Sequence, residues 1–111
     1  MTNAANLNPK ISLDEAQKLF NEGKIVVIDV REPNEHATGV IKGAKLLPLQ
    51  QLSSRIAEVP KDKPVYFICH TQNRSPRAAN FLSESGWTNV SYVEGGMSEW
   101  NRRKLPTVKP Q

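Results

Sequence analysis

Cysteine is nearly absent from this chain, because Cys69 is the only thiol among 111 residues. A single thiol excludes an internal disulfide, and no set of cysteines and histidines has the spacing of a zinc site. No apolar run approaches the length of a membrane span. Residues 1–10 lack the charged and apolar regions of a secretory signal peptide. We therefore expect a soluble, cytoplasmic protein that binds no metal and no cofactor, in which Cys69 stays reduced.

Neither sign of charge dominates the composition. The 15 lysines and arginines and the 11 acidic residues leave a net charge of +4. The basic residues are scattered rather than gathered in a stripe with aromatic side chains, which is the pattern that nucleic-acid binding usually requires. The composition therefore argues against nucleic-acid and membrane partners. It favours a solvated surface with a mild preference for anions.

What the sequence does contain is an alternation of strand and helix patterns. Continuous β-branched runs predict strands that are buried on both faces. Ser12 is the predicted cap of the first helix, with Glu15 reaching back to it. Ser75 is the predicted cap of the third helix, with Pro76 at its first position. Strands are predicted at 24–30, 45–49, 63–69 and 89–93, and helices at 11–23, 50–59, 75–86 and 95–103. The alternation predicts an α/β fold with a parallel sheet and helices on both faces.

The segment from Cys69 to Arg74 joins a predicted strand directly to a predicted helix. Ligands of open parallel sheets bind outside the carboxyl ends of the strands. A helix N-terminus supplies unpaired N–H groups and the positive end of the helix dipole. The loop is therefore a predicted anion site that favours a thiolate over a thiol. Arg74 and Arg77 support this prediction, because a cation in the first turn of a helix costs about 0.3–1 kcal/mol unless an anion compensates it.

A lone cysteine at a strand end has a second interpretation. Free cysteine is one of the most buried residue types, and Cys69 by itself is more simply explained as a small core residue. The loop, the helix cap and the two arginines together favour a nucleophile. Both interpretations stay open at the level of these residues.

Three motifs taken together resemble the rhodanese family of sulfurtransferases. They are DVREPNEHATGVIKGAKLLPL at 29–49, CHTQNRSPRAANFLSESG at 69–86 and EGGMSEW at 94–100. The likeness spans about residues 11–107, with the motifs in the expected order. It implies a rhodanese-like three-layer sandwich, in which a five-stranded parallel sheet lies between layers of helices. We accordingly expect a flexible N-terminal arm at 1–10, a single domain at 11–107 and a loose C-terminus at 108–111.

The resemblance also implies a site and a reaction. Cys69 is the implied nucleophile, and the backbone amides of the loop that follows it surround its sulfur. The implied loop consists of His70, Thr71, Gln72, Asn73, Arg74 and Ser75. Arg74 helps to hold an anionic donor such as thiosulfate. Cys69 takes the sulfane sulfur as a persulfide and passes it to cyanide or an external cellular thiol, since the chain has no second cysteine to resolve it.

Two loop positions depart from the family pattern. His70 stands where the family has arginine, and Gln72 stands where it has glycine, which reaches backbone angles that other residues avoid. These departures favour an alternative, a rhodanese-like binding or regulatory module with weak chemistry. A further alternative is a phosphatase or an arsenate reductase. Those relatives place five residues between cysteine and arginine, whereas this chain places four, from His70 to Asn73.

Charged residues outside the loop are candidates for accessory roles. Asp29 and Arg31 end the first predicted strand on the same side as the loop, and Arg77 lies near the start of the third helix. The simpler role of Asp29 and Arg31 is structural. They fasten the strand end through hydrogen bonds and a pair with Glu32 or Glu35.

Overall fold

A parallel sheet of four strands runs through the centre of the fold. The structure is a computed structural model that describes residues 10–71 and 73–110. Its strands are β1 (Val26–Asp29), β2 (Lys45–Leu46), β3 (Val65–Ile68) and β4 (Val90–Tyr92), in the order β2-β1-β3-β4. Every pairing between these strands is parallel, which confirms the sheet type that the sequence predicts.

The fifth strand of the expected sheet is reduced to one residue. Ile11 forms an isolated parallel bridge with Val93, held by two backbone hydrogen bonds of 3.3 and 2.8 Å. The next residue, Ser12, already caps helix α1 (Leu13–Asn21), so the chain turns away before it pairs further. In the described residues the prediction of five strands is therefore wrong by one strand.

Helices cover both faces of the sheet, as predicted. Besides α1 they are α2 (Pro33–His36), α3 (Arg74–Glu84) and α4 (Gly96–Arg102). The sequence does not predict α2, which begins where Glu32 and Glu35 form a capping box next to Pro33. None of the helices in the described residues is long and apolar enough to cross a bilayer.

The helix predicted at 50–59 is wrong. Two short 3-10 segments, Leu49–Gln51 and Ile56–Glu58, replace it and are joined by turns. Ser53 and Ser54 lie between them, and serine competes for backbone hydrogen bonds in a way that favours turns over a continuous helix.

The sheet separates two hydrophobic cores. Leu82 of α3 packs in the core on one face, and α1 and α4 contribute to the core on the other. Because side chains alternate along a strand, Phe67 belongs to the α3 core and Ile68 to the opposite one. Cys69 follows in turn on the α3 face.

The chain after α4 returns to the segment that follows α2. Val108 exchanges two backbone hydrogen bonds with Val40, at 2.9 and 2.8 Å, although residues 108–111 are assigned to a loose C-terminus. The arm predicted at 1–10 lies outside the described residues except for Lys10.

Ser12→Ala is expected to lower the free energy of unfolding by about 1 kcal/mol. The Ser12 hydroxyl accepts the Glu15 N–H at 3.1 Å, so the cap satisfies one of the donors that α1 otherwise leaves unpaired. Urea unfolding at pH 7 measures the change, with Ser53→Ala at an exposed position as the control. A loss no larger than that of the control would contradict a stabilising role of the cap.

Candidate active site

Cys69 lies directly after β3 on the α3 face of the sheet, and it has no exposed surface. Its Sγ accepts the Ser75 backbone N–H at 3.3 Å. The thiol proton has two acceptors at the same distance, since the Ser75 hydroxyl and the Thr71 carbonyl each lie 3.3 Å from Sγ. The sulfur is therefore held between the beginning of the loop and the beginning of α3.

Helix α3 begins two residues earlier than predicted, which places Ser75 in its first turn beside the sulfur. The helix begins at Arg74, and Asn73 precedes it in a helical backbone conformation without a side-chain cap. The prediction of Ser75 as the N-cap, with Pro76 as the first helical residue, is therefore wrong, because they are the second and third residues of the helix. An amide in the first turn has no partner within the helix. Ser75 donates this amide to Sγ rather than to a capping side chain.

Arg74 is bound to a carboxylate of the protein itself. Its two terminal nitrogens donate to the two carboxylate oxygens of Glu35 at 2.6 and 2.8 Å, a fork geometry that fixes both side chains. The hydrogen bonds from Arg74 lower the pKa of Glu35 to about 2. The hydrogen bonds with Glu35 in turn raise the pKa of Arg74. Cys69, which lies nearby, makes a smaller electrostatic contribution in the same direction. The pair links α2 to the first residue of α3.

A buried ion pair supports α2 from the end of β1. Asp29 and Arg31 are 0% and 2% exposed, and Arg31 donates to both Asp29 carboxylate oxygens at 2.8 to 3.1 Å. Arg31 also donates to the backbone carbonyls of Glu35 and Gly39, at 3.3 and 2.9 Å. The strand end is fastened by these bonds, but the ionic partner of Arg31 is Asp29 rather than the carboxylate of Glu32 or Glu35. The pair thereby fixes the backbone that carries Glu35.

An open cleft of about 310 Å³ lies beside the loop. Its walls are formed by Arg31, Asn34, Glu35, Thr38, His70 and Asn101. His70 is exposed there, and Thr71 and Asn73 are exposed on the loop.

Arg77 is exposed on α3 and makes no ion pair with another described residue, while Gln72 lies outside the described residues. Among the residues described, no three His, Cys, Asp or Glu side chains cluster so that they could hold a metal ion.

The opposite side of the loop rests on α4. The carbonyl of Cys69 accepts the Met97 N–H, and the carbonyl of His70 accepts the Ser98 N–H, both at 2.7 Å. Gly96, the first residue of α4, is buried against the same part of the loop. The loop is therefore in contact with α2 through a side chain and with α4 through backbone atoms.

Sequence reasoning missed two of these residues. It assigns Glu35 a structural pairing at the strand end, and it includes Gly96 only as part of the motif EGGMSEW. The position of Glu35 shortly after β1 is a signal that could have identified it, because segments that follow neighbouring parallel strands meet at one edge of the sheet. No local signal identifies Gly96, because its contact is with a loop that is distant in sequence.

Comparison with known proteins assigns the chain to a family. The model of the family described as rhodanese-like domain matches residues 12–103. YqhL of Bacillus subtilis is 47% identical over 77 residues, which are 69% of this chain and 61% of that protein. A protein of Allochromatium vinosum named sulfurtransferase is 34% identical over 96 residues, covering 86% of this chain and 90% of the relative. The crystal structure of a rhodanese-related protein from Thermoplasma volcanium has a TM-score of 0.84 at 31% identity, covering 93% of this chain and 100% of that one.

The relatives differ in length. This chain spans less than two thirds of YqhL but nine tenths of the sulfurtransferase. The matches to the family model and to that sulfurtransferase support a role in sulfur transfer in general terms.

Glu35→Gln is expected to lower the free energy of unfolding by about 1 kcal/mol at pH 7, because the fork with Arg74 is partly exposed to solvent. The folded-state pKa of Glu35, about 2, lies below its ordinary value of 4.5. The stabilisation is therefore complete above the ordinary value and is lost as the pH falls toward about 2. Urea unfolding of the parent and the variant at pH 7 and at the acid end of this range measures the difference.

Glu58→Gln is the control for this pH dependence. Hydrogen bonds from Arg55 and Lys45 lower the pKa of the exposed Glu58 to about 2 as well, but these bonds involve no residue of the loop. The Glu35→Gln variant alone should also change the rate at which Cys69 reacts. A gap between parent and Glu35→Gln that persists in full at the acid end would contradict the assignment of the stabilisation to the carboxylate.

Asp29→Asn is expected to cost about 3–5 kcal/mol of unfolding free energy, because it leaves the charge of Arg31 buried without an opposite charge. Asp14→Asn is the matched control, since Asp14 pairs with Arg103 at 2.6 Å while its side chain is 76% exposed. Exposed pairs of this kind are worth about 0–1 kcal/mol. Similar losses in the two variants, measured by urea unfolding, would show that the buried pair does not stabilise the fold as described.

Proposed function

The chain belongs to the rhodanese-like domain family, and from that premise we propose that it transfers sulfane sulfur from an anionic donor to a thiophilic acceptor through a persulfide on Cys69. The observation that carries the proposal is the position of Sγ at the first turn of α3, where the Ser75 N–H donates to it at 3.3 Å. The amide and the helix dipole stabilise a sulfur at this position when it carries negative charge. Thiosulfate is the donor that we assign, and cyanide or an external cellular thiol is the acceptor.

The first step forms a bond between Cys69 Sγ and the outer sulfur of thiosulfate. The thiol loses its proton to solvent, and the thiolate attacks the sulfane sulfur. The sulfur–sulfur bond of the donor breaks, and its electron pair leaves with sulfite. The Cys69 persulfide anion is the covalent intermediate of a ping-pong reaction, and the amides of the loop and of α3 stabilise its charge.

The second step returns the sulfur to a mobile acceptor. Cyanide attacks the terminal sulfur of the persulfide, the bond to Sγ breaks, and its electron pair stays on Sγ. The products are thiocyanate and the Cys69 thiolate. A cellular thiolate reacts in the same way and leaves as its own persulfide. The acceptor comes from outside because the chain has no second cysteine.

Arg74 has two roles in this proposal. Its fork with Glu35 orders the end of the loop. The fork uses only part of the N–H donors of a guanidinium group, and the remaining donors help to hold the anionic donor. The proximity of Cys69, which contributes to the raised pKa of Arg74, supports this second role.

A rhodanese-like binding module with weak chemistry is the second candidate function. The observation that favours it is the complete burial of Cys69, which limits access to the thiol unless the loop moves. In a binding module the polar cleft beside His70 is the site of contact, and the thiol is a core residue.

Brief exposure of the parent protein to thiosulfate is expected to add one sulfur atom to Cys69. Intact-protein mass spectrometry measures the gain, and cyanide should remove it. Cys69→Ser is the control, because serine keeps a similar size at the end of β3 but cannot form a persulfide. We expect no gain on the variant.

The same preparation separates the three candidate functions. No gain on folded parent protein with a free thiol would overturn thiosulfate transfer and favour the binding module. Hydrolysis of a phosphate ester that depends on Cys69, without sulfur loading, would favour a phosphatase instead.

A further inference from the structure

We infer that the N-terminus of α4 positions the active-site loop by binding its backbone carbonyls, and that Gly96 is the residue that permits this contact. The inference rests on the proposed function and adds to it a positioning element that touches neither the thiol nor a substrate. Without this contact, Gly96 would only supply the backbone freedom that the turn before α4 requires.

The contact consists of two short hydrogen bonds to consecutive loop residues. The Met97 N–H donates to the Cys69 carbonyl, and the Ser98 N–H donates to the His70 carbonyl, both at 2.7 Å. Both donors belong to the first turn of α4, where amides have no partner within their own helix. The helix therefore satisfies its own unpaired donors by binding the loop.

The direction of these carbonyls decides the direction of the loop amides. In a planar trans peptide the C=O of one residue and the N–H of the next point in opposite directions. The carbonyls of Cys69 and His70 face α4, so the N–H groups of His70 and Thr71 face the other side of the loop. Successive amides that face one way form a concave anion site. The contact with α4 thus keeps the amides turned toward the place where a persulfide or a departing sulfite carries its charge.

Gly96 is required because the loop approaches too closely for any side chain. A Cβ on Gly96 would lie 2.1 Å from the Thr71 carbonyl oxygen, 2.5 Å from that of Cys69 and 2.7 Å from that of His70. The obstacle is therefore the loop backbone, which cannot move without disturbing the amides. Gly96 also has a φ of 60°, in the left-handed region.

Gly95 provides a natural comparison, because it shares the backbone strain, while an added Cβ there would meet α4 rather than the loop backbone. Its φ of 81° is also left-handed. A Cβ there would lie 2.9 Å from the Cβ and 3.2 Å from the Cγ of Glu99, which are atoms of α4 rather than of the loop. The two glycines therefore separate the cost of a left-handed alanine from the effect on the loop.

The body of α4 is fixed, so it can serve as a support. Met97 and Trp100 are 0% and 4% exposed and belong to the core on the face opposite Cys69. The Trp100 indole N–H also donates to the Pro106 carbonyl at 3.0 Å. The helix end is thus held by packing that is independent of the loop.

The first test compares Gly96→Ala with Gly95→Ala. We expect Gly96→Ala to lower the rate of persulfide formation from thiosulfate by about tenfold or more relative to Gly95→Ala, a loss typical of misplaced donors at an anion site. Intact-protein mass spectrometry measures the rate, and urea unfolding shows that each variant is folded. Equal rates in the two folded variants would overturn the inference.

The second test replaces one hydrogen bond with a steric contact, because a proline ring puts its Cδ where the Ser98 N–H meets the His70 carbonyl at 2.7 Å. Ser98→Pro deletes the N–H that the His70 carbonyl accepts, while Ser98→Ala keeps it. Proline is tolerated in the first turn of a helix, and Pro76 already occupies the same third position in α3. We expect Ser98→Pro to load sulfur several-fold more slowly than Ser98→Ala. If Gly96→Ala does not fold, the comparison of Ser98→Pro with Ser98→Ala tests the inference by itself. Equal rates of sulfur loading in these two variants would overturn it.

Alkylation of Cys69 separates this inference from the proposed function. The ratio of the alkylation rate with iodoacetate, an anion, to the rate with neutral iodoacetamide reports how well the loop stabilises negative charge. This measurement needs no sulfur transfer. We expect this ratio to fall in Gly96→Ala and Ser98→Pro but not in their controls. If the parent fails to load sulfur while the ratio falls as described, the proposed reaction is wrong and the positioning role stands. If the parent loads sulfur and the ratio is unchanged in all variants, the positioning role is wrong.

Discussion

The parallel pairing of β1 with β3 is the constraint on which the site depends. Asp29 lies opposite Ile68 in the register, and the Val30 N–H donates to the Ile68 carbonyl at 3.0 Å. Neighbouring parallel strands end at the same edge of a sheet, so the segment after β1 and the loop after β3 leave the sheet side by side. The buried ion pair and the thiol are therefore neighbours through topology, before any side chain of the loop takes part.

The loop is held near both of its ends by contacts of different physical kinds. At its end, the fork between Arg74 and Glu35 is charged and partly solvated, so salt weakens it. At its beginning, α4 binds backbone carbonyls through neutral amides, which depend little on salt or pH. Asp29 and Arg31 support the first contact by fixing the backbone of α2. The loop is thus held by one contact that salt weakens and by another that depends little on salt or pH.

Features that depend on neighbouring residues were predictable, and features that depend on the distance between elements were not. Apolar runs alternating with helix signals were sufficient for the parallel sheet and its two helical layers. The Ser12 cap was predictable because its acceptor and donor are three residues apart. The fork between Glu35 and Arg74 joins residues 39 positions apart, so no local pattern contains it. Ser75 resembles a cap in sequence, but its amide is used by the sulfur, and this tertiary contact overrides the local preference.

The support that α4 provides has a consequence for how such a site can change. It binds loop carbonyls, which every amino acid supplies, and therefore places no demand on the loop side chains. His70 is exposed beside the cleft, so a substitution there alters what a ligand meets without altering how the loop is held. In the proposed reaction, the amides that receive negative charge are therefore separate from the side chains beside the cleft. If the proposed reaction takes place here, single substitutions beside the cleft give access to new ligand preferences at little risk to the geometry around the sulfur.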